Sequence, residues 1–143
     1  MSTSYQASPA RVRRPFRGTL AVLAGLALNV VLGLGIDQIL HVTGVYPPWG
    51  QTMSDSLFAL ATAYRLLIGV ASGWLVARLA PDRPVWHAVV LGAIGFAISA
   101  VSVVATWNRG AEFGPHWYPI LLAVSAIPVS WLGAQLHRPA RTA

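Results

Sequence analysis

Four long apolar runs, separated by short polar connectors, fill the chain from about Gly18 to Leu136. About 20 predominantly apolar residues carry an α-helix across roughly 30 Å of hydrocarbon. The runs at about Gly18–Leu40, Ser56–Ala77, Pro84–Trp107 and Trp117–Leu136 all reach that length. Ser54 is the expected N-cap of the second, because a short hydroxyl side chain there can accept from free first-turn amides. Pro84 suits a first helical turn, and Asn108 beside Gly110 ends the third run. Pro128 lies inside the fourth and has no N–H for the Val124 carbonyl. A bend is expected there, absorbed by neighbouring helices or by the Ser125 hydroxyl. The pattern predicts an all-α fold, an antiparallel bundle of four transmembrane helices with a kink at Pro128 in the fourth. Residues 1–17 form a basic tail expected to lack order, 18–136 one membrane domain, and 137–143 a second basic tail.

Composition strengthens this reading. The 143 residues are 55% hydrophobic and 10% charged, whereas a soluble domain carries roughly a quarter charged residues. The net charge of +6 would suggest nucleic acid in a soluble protein. Here it gathers at the ends of the apolar runs, so membrane topology accounts for it and no nucleic-acid partner is expected. There is no cysteine, which excludes disulfides, thiol redox chemistry and thiolate metal sites. Arg11, Arg13, Arg14 and Arg17 before an apolar run resemble the start of a signal peptide. That run is too long and lacks a small-x-small cleavage pattern before Asp37, so an uncleaved anchor is expected.

Arginine placement sets the orientation. The N-terminal tail holds four, the connector from Arg78 to Arg83 two, and the C-terminal tail Arg138 and Arg141, against Arg109 alone in the two opposite connectors. Eight against one places both termini and the middle connector on the cytoplasmic side, an N-in, C-in topology. Interfacial aromatics agree: Tyr46, Trp49, Trp107, Trp117 and Tyr118 belong to the outer boundary, and Phe16, Trp74, Trp86 and Trp131 to the inner.

Arg65 sits within the second run, where an unpaired guanidinium is costly. Helices in lipid associate through small residues and polar contacts. Gly25, Asn29, Gly33, Asp37 and His41 repeat every four residues on the first helix, and Ala61, Arg65, Gly69, Gly73 and Ala77 on the second. The economical arrangement brings these two stripes face to face. Arg65 then turns inward to pair with Asp37, its stem covering part of the roughly 14 Å that separates it from the outer helix end. Asn29 is expected to accept a second hydrogen bond from the guanidinium. Gly92, Gly95, Ser99 and Ser102 on the third helix, with Ala126, Ser130 and Ala134 on the fourth, offer further close-contact surfaces. The histidines His41, His87, His116 and His137 lie at the bundle ends with no metal-ligand spacing, so solvation at the interface is their expected role and no metal or cofactor is expected.

The stretch Met53 to Arg65, then Ala77, Arg78, Leu79, Ala80 and Pro81, then His87, Ala88, Leu91 and Gly92, with Trp117, Tyr118 and Pro119, resembles an uncharacterised group of small four-helix bacterial integral membrane proteins. The resemblance runs from about Asp37 to Leu136. It implies a multi-pass protein of the bacterial inner (cytoplasmic) membrane and brings no activity, cofactor or partner with it. The arginine bias and the lack of a membrane-embedded glutamate separate the chain from dual-topology drug exporters, and the missing cysteines from quinone-linked thiol oxidoreductases.

No hydrolase elbow, phosphate loop or metal motif is present, and no catalytic residue is assigned. The leading expectation is a non-enzymatic accessory, scaffold, or lipid- or partner-binding module in the bilayer, alone, as a homo-oligomer or with another membrane protein. The Asp37 and Arg65 pair then serves first as a staple of helix register. The alternative is a small oligomeric transporter or channel with Arg65 and Asp37 lining the path. A third is a lipid-modifying enzyme built on His41, Asp37 and Arg65.

Overall fold

The computed structural model describes residues 15–110 and 113–137. The expectations for the N-terminal tail up to residue 14 and for the C-terminal tail from residue 138 lie outside these residues. Four helices follow in order: α1 Pro15–Val42, α2 Asp55–Leu79, α3 Pro84–Thr106 and α4 Trp117–Leu136. All four are long and apolar enough to cross a membrane. At about 1.5 Å per residue, α1 measures roughly 42 Å and α4 roughly 30 Å. The longer helices therefore tilt or project beyond the hydrocarbon.

Local chemistry sets the boundaries. Beyond the end of α1, Gly44 adopts φ +75°, the left-handed conformation that costs a glycine little. The chain folds back there, and the Tyr46 N–H donates to the Leu40 carbonyl at 2.9 Å. Ser54 is the N-cap of α2, but its side chain makes no capping bond; its hydroxyl bonds that of Ser56 at 2.9 Å instead. Asp55 in the first turn and Arg78 in the last complement the α2 dipole. The turn from α2 to α3 is tight enough to force Arg83 to φ +48°, immediately before Pro84 at the start of α3. Within α3, Ser102 and Thr106 hydroxyls donate to the carbonyls of Ile98 and Ser102, at 3.1 and 2.7 Å. They thereby satisfy their own polarity inside an apolar helix. Helix α4 runs without a break through Pro128. The Ser125 hydroxyl donates to the Leu122 carbonyl at 3.2 Å, not to that of Val124.

Glycines govern the packing. On α2 and α4 the backbones are in near contact: Gly73 lies against the Ser130 backbone and Gly133 against the Val70 carbonyl. Gly69 receives Val129, and Gly92 of α3 lies against the backbone of Ile127. The two small-residue stripes thus do not meet along their length. Each four-residue step on a helix advances about 40° around its axis. Arg65 therefore faces α1, while Gly69 and Gly73 have rotated towards α4. Gly25 of α1 does meet α2, at Val76 and the Ser72 carbonyl.

The buried core lies towards the end that carries the α2–α3 turn. Ala21 and Val22 of α1, Val76 and Ala77 of α2, Ala88 and Leu91 of α3 and Ala134 of α4 form one cluster. There α1 also approaches α3 closely, Gly18 lying under the His87 ring. Towards the opposite end, which bears the two other connectors, α1 and α3 expose Val30, Val31, Leu34, Ile98, Val101 and Val104. A cleft opens between them, with α2 and α4 as its floor.

Candidate polar site and membrane cleft

Asp37, near the last turn of α1, receives both of its partners from consecutive residues of α2. The Arg65 Nη2 donates to Asp37 Oδ2, forming an ion pair, and the Tyr64 hydroxyl donates to Oδ1. Tyr46, from the α1–α2 connector, places its hydroxyl 3.4 Å from that of Tyr64 and 3.5 Å from the Leu57 carbonyl. Because the Tyr64 proton is directed at Asp37, its oxygen accepts from Tyr46. The result is a chain running from Tyr46 through Tyr64 to Asp37, closed from the other side by Arg65.

The site is largely enclosed. The Asp37 side chain retains 13% of its accessible surface and Arg65 33%. Tyr46 is buried, and burial pushes its phenol above the ordinary tyrosine range. The Arg65 guanidinium carbon lies 5.8 Å from the Tyr64 ring centroid, within cation–π range. Gly33 of α1 faces the cation, a Cβ there standing at an ordinary 3.6 Å from Nη1. The Arg65 Nε is buried and has no acceptor among the described residues.

His41 caps this arrangement. Its Nδ1 lies 2.7 Å from the Pro47 carbonyl, a contact that requires the proton on Nδ1. The ring packs on Trp49 at 3.8 Å and meets the edge of Tyr46 at 5.3 Å. His41 is thus a clasp that folds the connector over the site. His116 does the same in the other connector, stacked on Trp107 at 4.3 Å and bonded to the Trp107 carbonyl at 2.9 Å. Both rings have specific partners, where sequence suggested solvation alone.

Two cavities meet at Arg65. One of about 170 Å³ opens among the connector residues and includes Asp37, His41, Tyr46, Trp49, Arg65 and Tyr118. The other, about 250 Å³, is the cleft between α1 and α3; Leu26, Val30, Leu91 and Ile98 line it with the polar groups Asn29, Arg65, Ser99 and Ser125. Asn29 does not bond Arg65. Its Nδ2 donates to the Ser72 hydroxyl at 3.4 Å, tying α1 to α2 deeper in the bundle.

The proposed interface anchors divide into two groups. Trp49, Trp74, Trp86, Trp107, Trp117 and Trp131 are exposed on the outside of the bundle. Tyr46 and Tyr118 are not. Tyr46 turns into the polar chain, and Tyr118 turns inward against Phe58, with ring centroids 5.1 Å apart. Their hydroxyls account for the difference: that of Tyr46 bonds the Tyr64 hydroxyl, and Tyr118 lines the cavity that Arg65 enters. Sequence reasoning missed Tyr64 altogether. Its adjacency to Arg65 was the available signal, because neighbours about 100° apart on a helix can straddle one acceptor on the next helix.

The fold and site define a multi-pass membrane protein with four spanning helices and a partly buried ion pair. No family model, curated protein or solved structure matches the chain.

The Tyr64 hydroxyl donates to a charged acceptor, which is worth roughly 1.5–3 kcal/mol. Tyr64→Phe removes that bond and leaves the ring in place, so thermal unfolding in detergent should move to lower temperature. An unchanged midpoint would show that Tyr64 does not hold Asp37.

Proposed function

We propose that this is a non-enzymatic binding module of the bacterial inner membrane, which holds the apolar chain of a membrane amphiphile in the cleft between α1 and α3. One observation carries the reading: a lipid-side cavity that is apolar over most of its length and ends on a single guanidinium. At about 250 Å³ it falls below the roughly 300–1,000 Å³ of drug-sized ligand sites, which suits one chain better than two. Catalysis has less support, since both Asp37 oxygens are already engaged as acceptors by Tyr64 and Arg65. The eight-to-one arginine bias supports cytoplasmic tails and a cytoplasmic α2–α3 turn.

Gly95 supplies the test. It lines the cleft, and a Cβ there meets only Ala126, at an ordinary 3.5 Å. Gly95→Leu should therefore fold while filling the cleft. Native mass spectrometry of gently extracted protein should find a retained amphiphile on the wild type and none on Gly95→Leu. No retained amphiphile on the wild type, or equal retention on both, would remove the proposal.

A second reading draws on Arg65 lining both cavities: a small oligomeric transporter in which Arg65 and Asp37 stand between outer vestibule and cleft. It requires flux in proteoliposomes that Gly95→Leu blocks.

A further inference from the structure

We infer that the amphiphile is single-chained and anionic, its carboxylate or phosphate head seated on Arg65 from the connector-side vestibule and its chain passing into the cleft. The inference rests on the cleft-binding reading above and adds the chemistry of the head group.

Three observations converge on this. Arg65 belongs to both cavities, so one ligand can occupy the polar vestibule and the apolar cleft while touching the same guanidinium. Asp37 uses only one edge of that cation, through Nη2. The Nε–H is buried and lacks an acceptor among the described residues, and a buried N–H of a charged group is costly to leave unpaired. A planar guanidinium has five donors, and carboxylates and phosphates match its paired geometry better than neutral acceptors do. Tyr118 lines the same vestibule beside Arg65, whereas the Tyr46 and Tyr64 hydroxyls are committed to the chain that ends on Asp37. Asp37 is the group such a head must compete with. It acts as an internal counter-ion that keeps the site neutral until the ligand arrives, held back by Tyr64 as the cation is shared.

The test uses full-length protein in phosphatidylcholine nanodiscs. Nitroxide-labelled stearic acid is compared with its methyl ester, at alkaline pH so that the acid is ionised; the two share one chain and differ in head charge. Electron paramagnetic resonance reads the immobilised fraction. The acid should be bound about ten-fold more tightly than the ester, as expected for one charge-assisted contact. Asp37→Asn, which keeps the side-chain shape and removes the competing charge, should strengthen acid binding and leave the ester unchanged. Equal immobilisation of acid and ester would overturn the head-group inference while leaving the cleft reading intact. No immobilisation of either would overturn both. If acetate or inorganic phosphate displaces the labelled acid as well as unlabelled stearate does, the ligand is a free anion and the amphiphile is ruled out. The acid-to-ester comparison on the wild type decides the matter even where a variant fails to fold.

Discussion

Gly73→Ala and Gly133→Ala should each remove most of the folded protein from the membrane. A Cβ on Gly73 would run into the Ser130 backbone, and one on Gly133 would stand 2.7 Å from the Trp74 amide nitrogen and closer still to the Val70 carbonyl. Neither obstacle is a flexible side chain that could move aside. Overpacking a core costs about 1–3 kcal/mol, and more where backbone must shift. Because association in lipid depends on close packing of small residues, no general hydrophobic drive compensates for a seam pushed apart. Gly35→Ala is the control: nothing lies within 4 Å of its Cβ position, and alanine is the better helix former by up to about 1 kcal/mol. Size-exclusion profiles of the three variants, extracted in the same mild detergent, should show a sharp monodisperse peak for Gly35→Ala only. A normal peak for Gly73→Ala would mean that α2 and α4 do not touch along this seam.

Removing one member of the ion pair is the second large effect. Breaking a buried pair costs about 3–5 kcal/mol because the surviving charge is left uncompensated. Arg65 keeps a third of its side-chain surface, so the lower figure, about 3 kcal/mol, is expected here. Asp37→Ala strands a guanidinium among apolar helices, and Arg65→Ala strands a carboxylate that Tyr64 alone still serves. The double variant removes both charges and should be no less stable than either single, with an interaction energy of about 3 kcal/mol in magnitude. Thermal unfolding of all four proteins closes the cycle. Additive losses would show that the residues do not meet. If all variants fold normally but only those lacking Arg65 lose the amphiphile, the cation serves binding more than register.

Much of this fold is legible in the sequence because the bilayer allows few solutions. A run of 20 apolar residues has to satisfy its backbone internally and becomes a helix, so the four spans match to within about three residues at each end. The meeting of Asp37 and Arg65 is legible for the same reason: two opposite charges in adjacent apolar helices have few other places to go. Helix neighbours are less legible. A four-residue stripe drifts around its helix, and its direction at any depth depends on a rotation that sequence does not carry. Gly69 and Gly73 thus face α4 although they share a stripe with Arg65. Tyrosines are harder still. Tyr46, Tyr64 and Tyr118 suit a membrane boundary and a polar site equally well, and only the tertiary positions of Asp37 and Arg65 decide between the two. The histidine clasps escape sequence reading because Pro47 and Trp107 present backbone carbonyls, which any residue could supply.

The central claim, that the Arg65 cation lies inside the bundle against Asp37, is open to direct measurement in lipid. Solid-state NMR on protein carrying 15N-arginine and 13C-aspartate in bilayers reports dipolar coupling between guanidinium nitrogens and carboxyl carbons. The account predicts a strong coupling that disappears in Asp37→Asn and Arg65→Gln alike. An Arg65 guanidinium signal that couples to lipid acyl protons and to no aspartate carboxyl would contradict it.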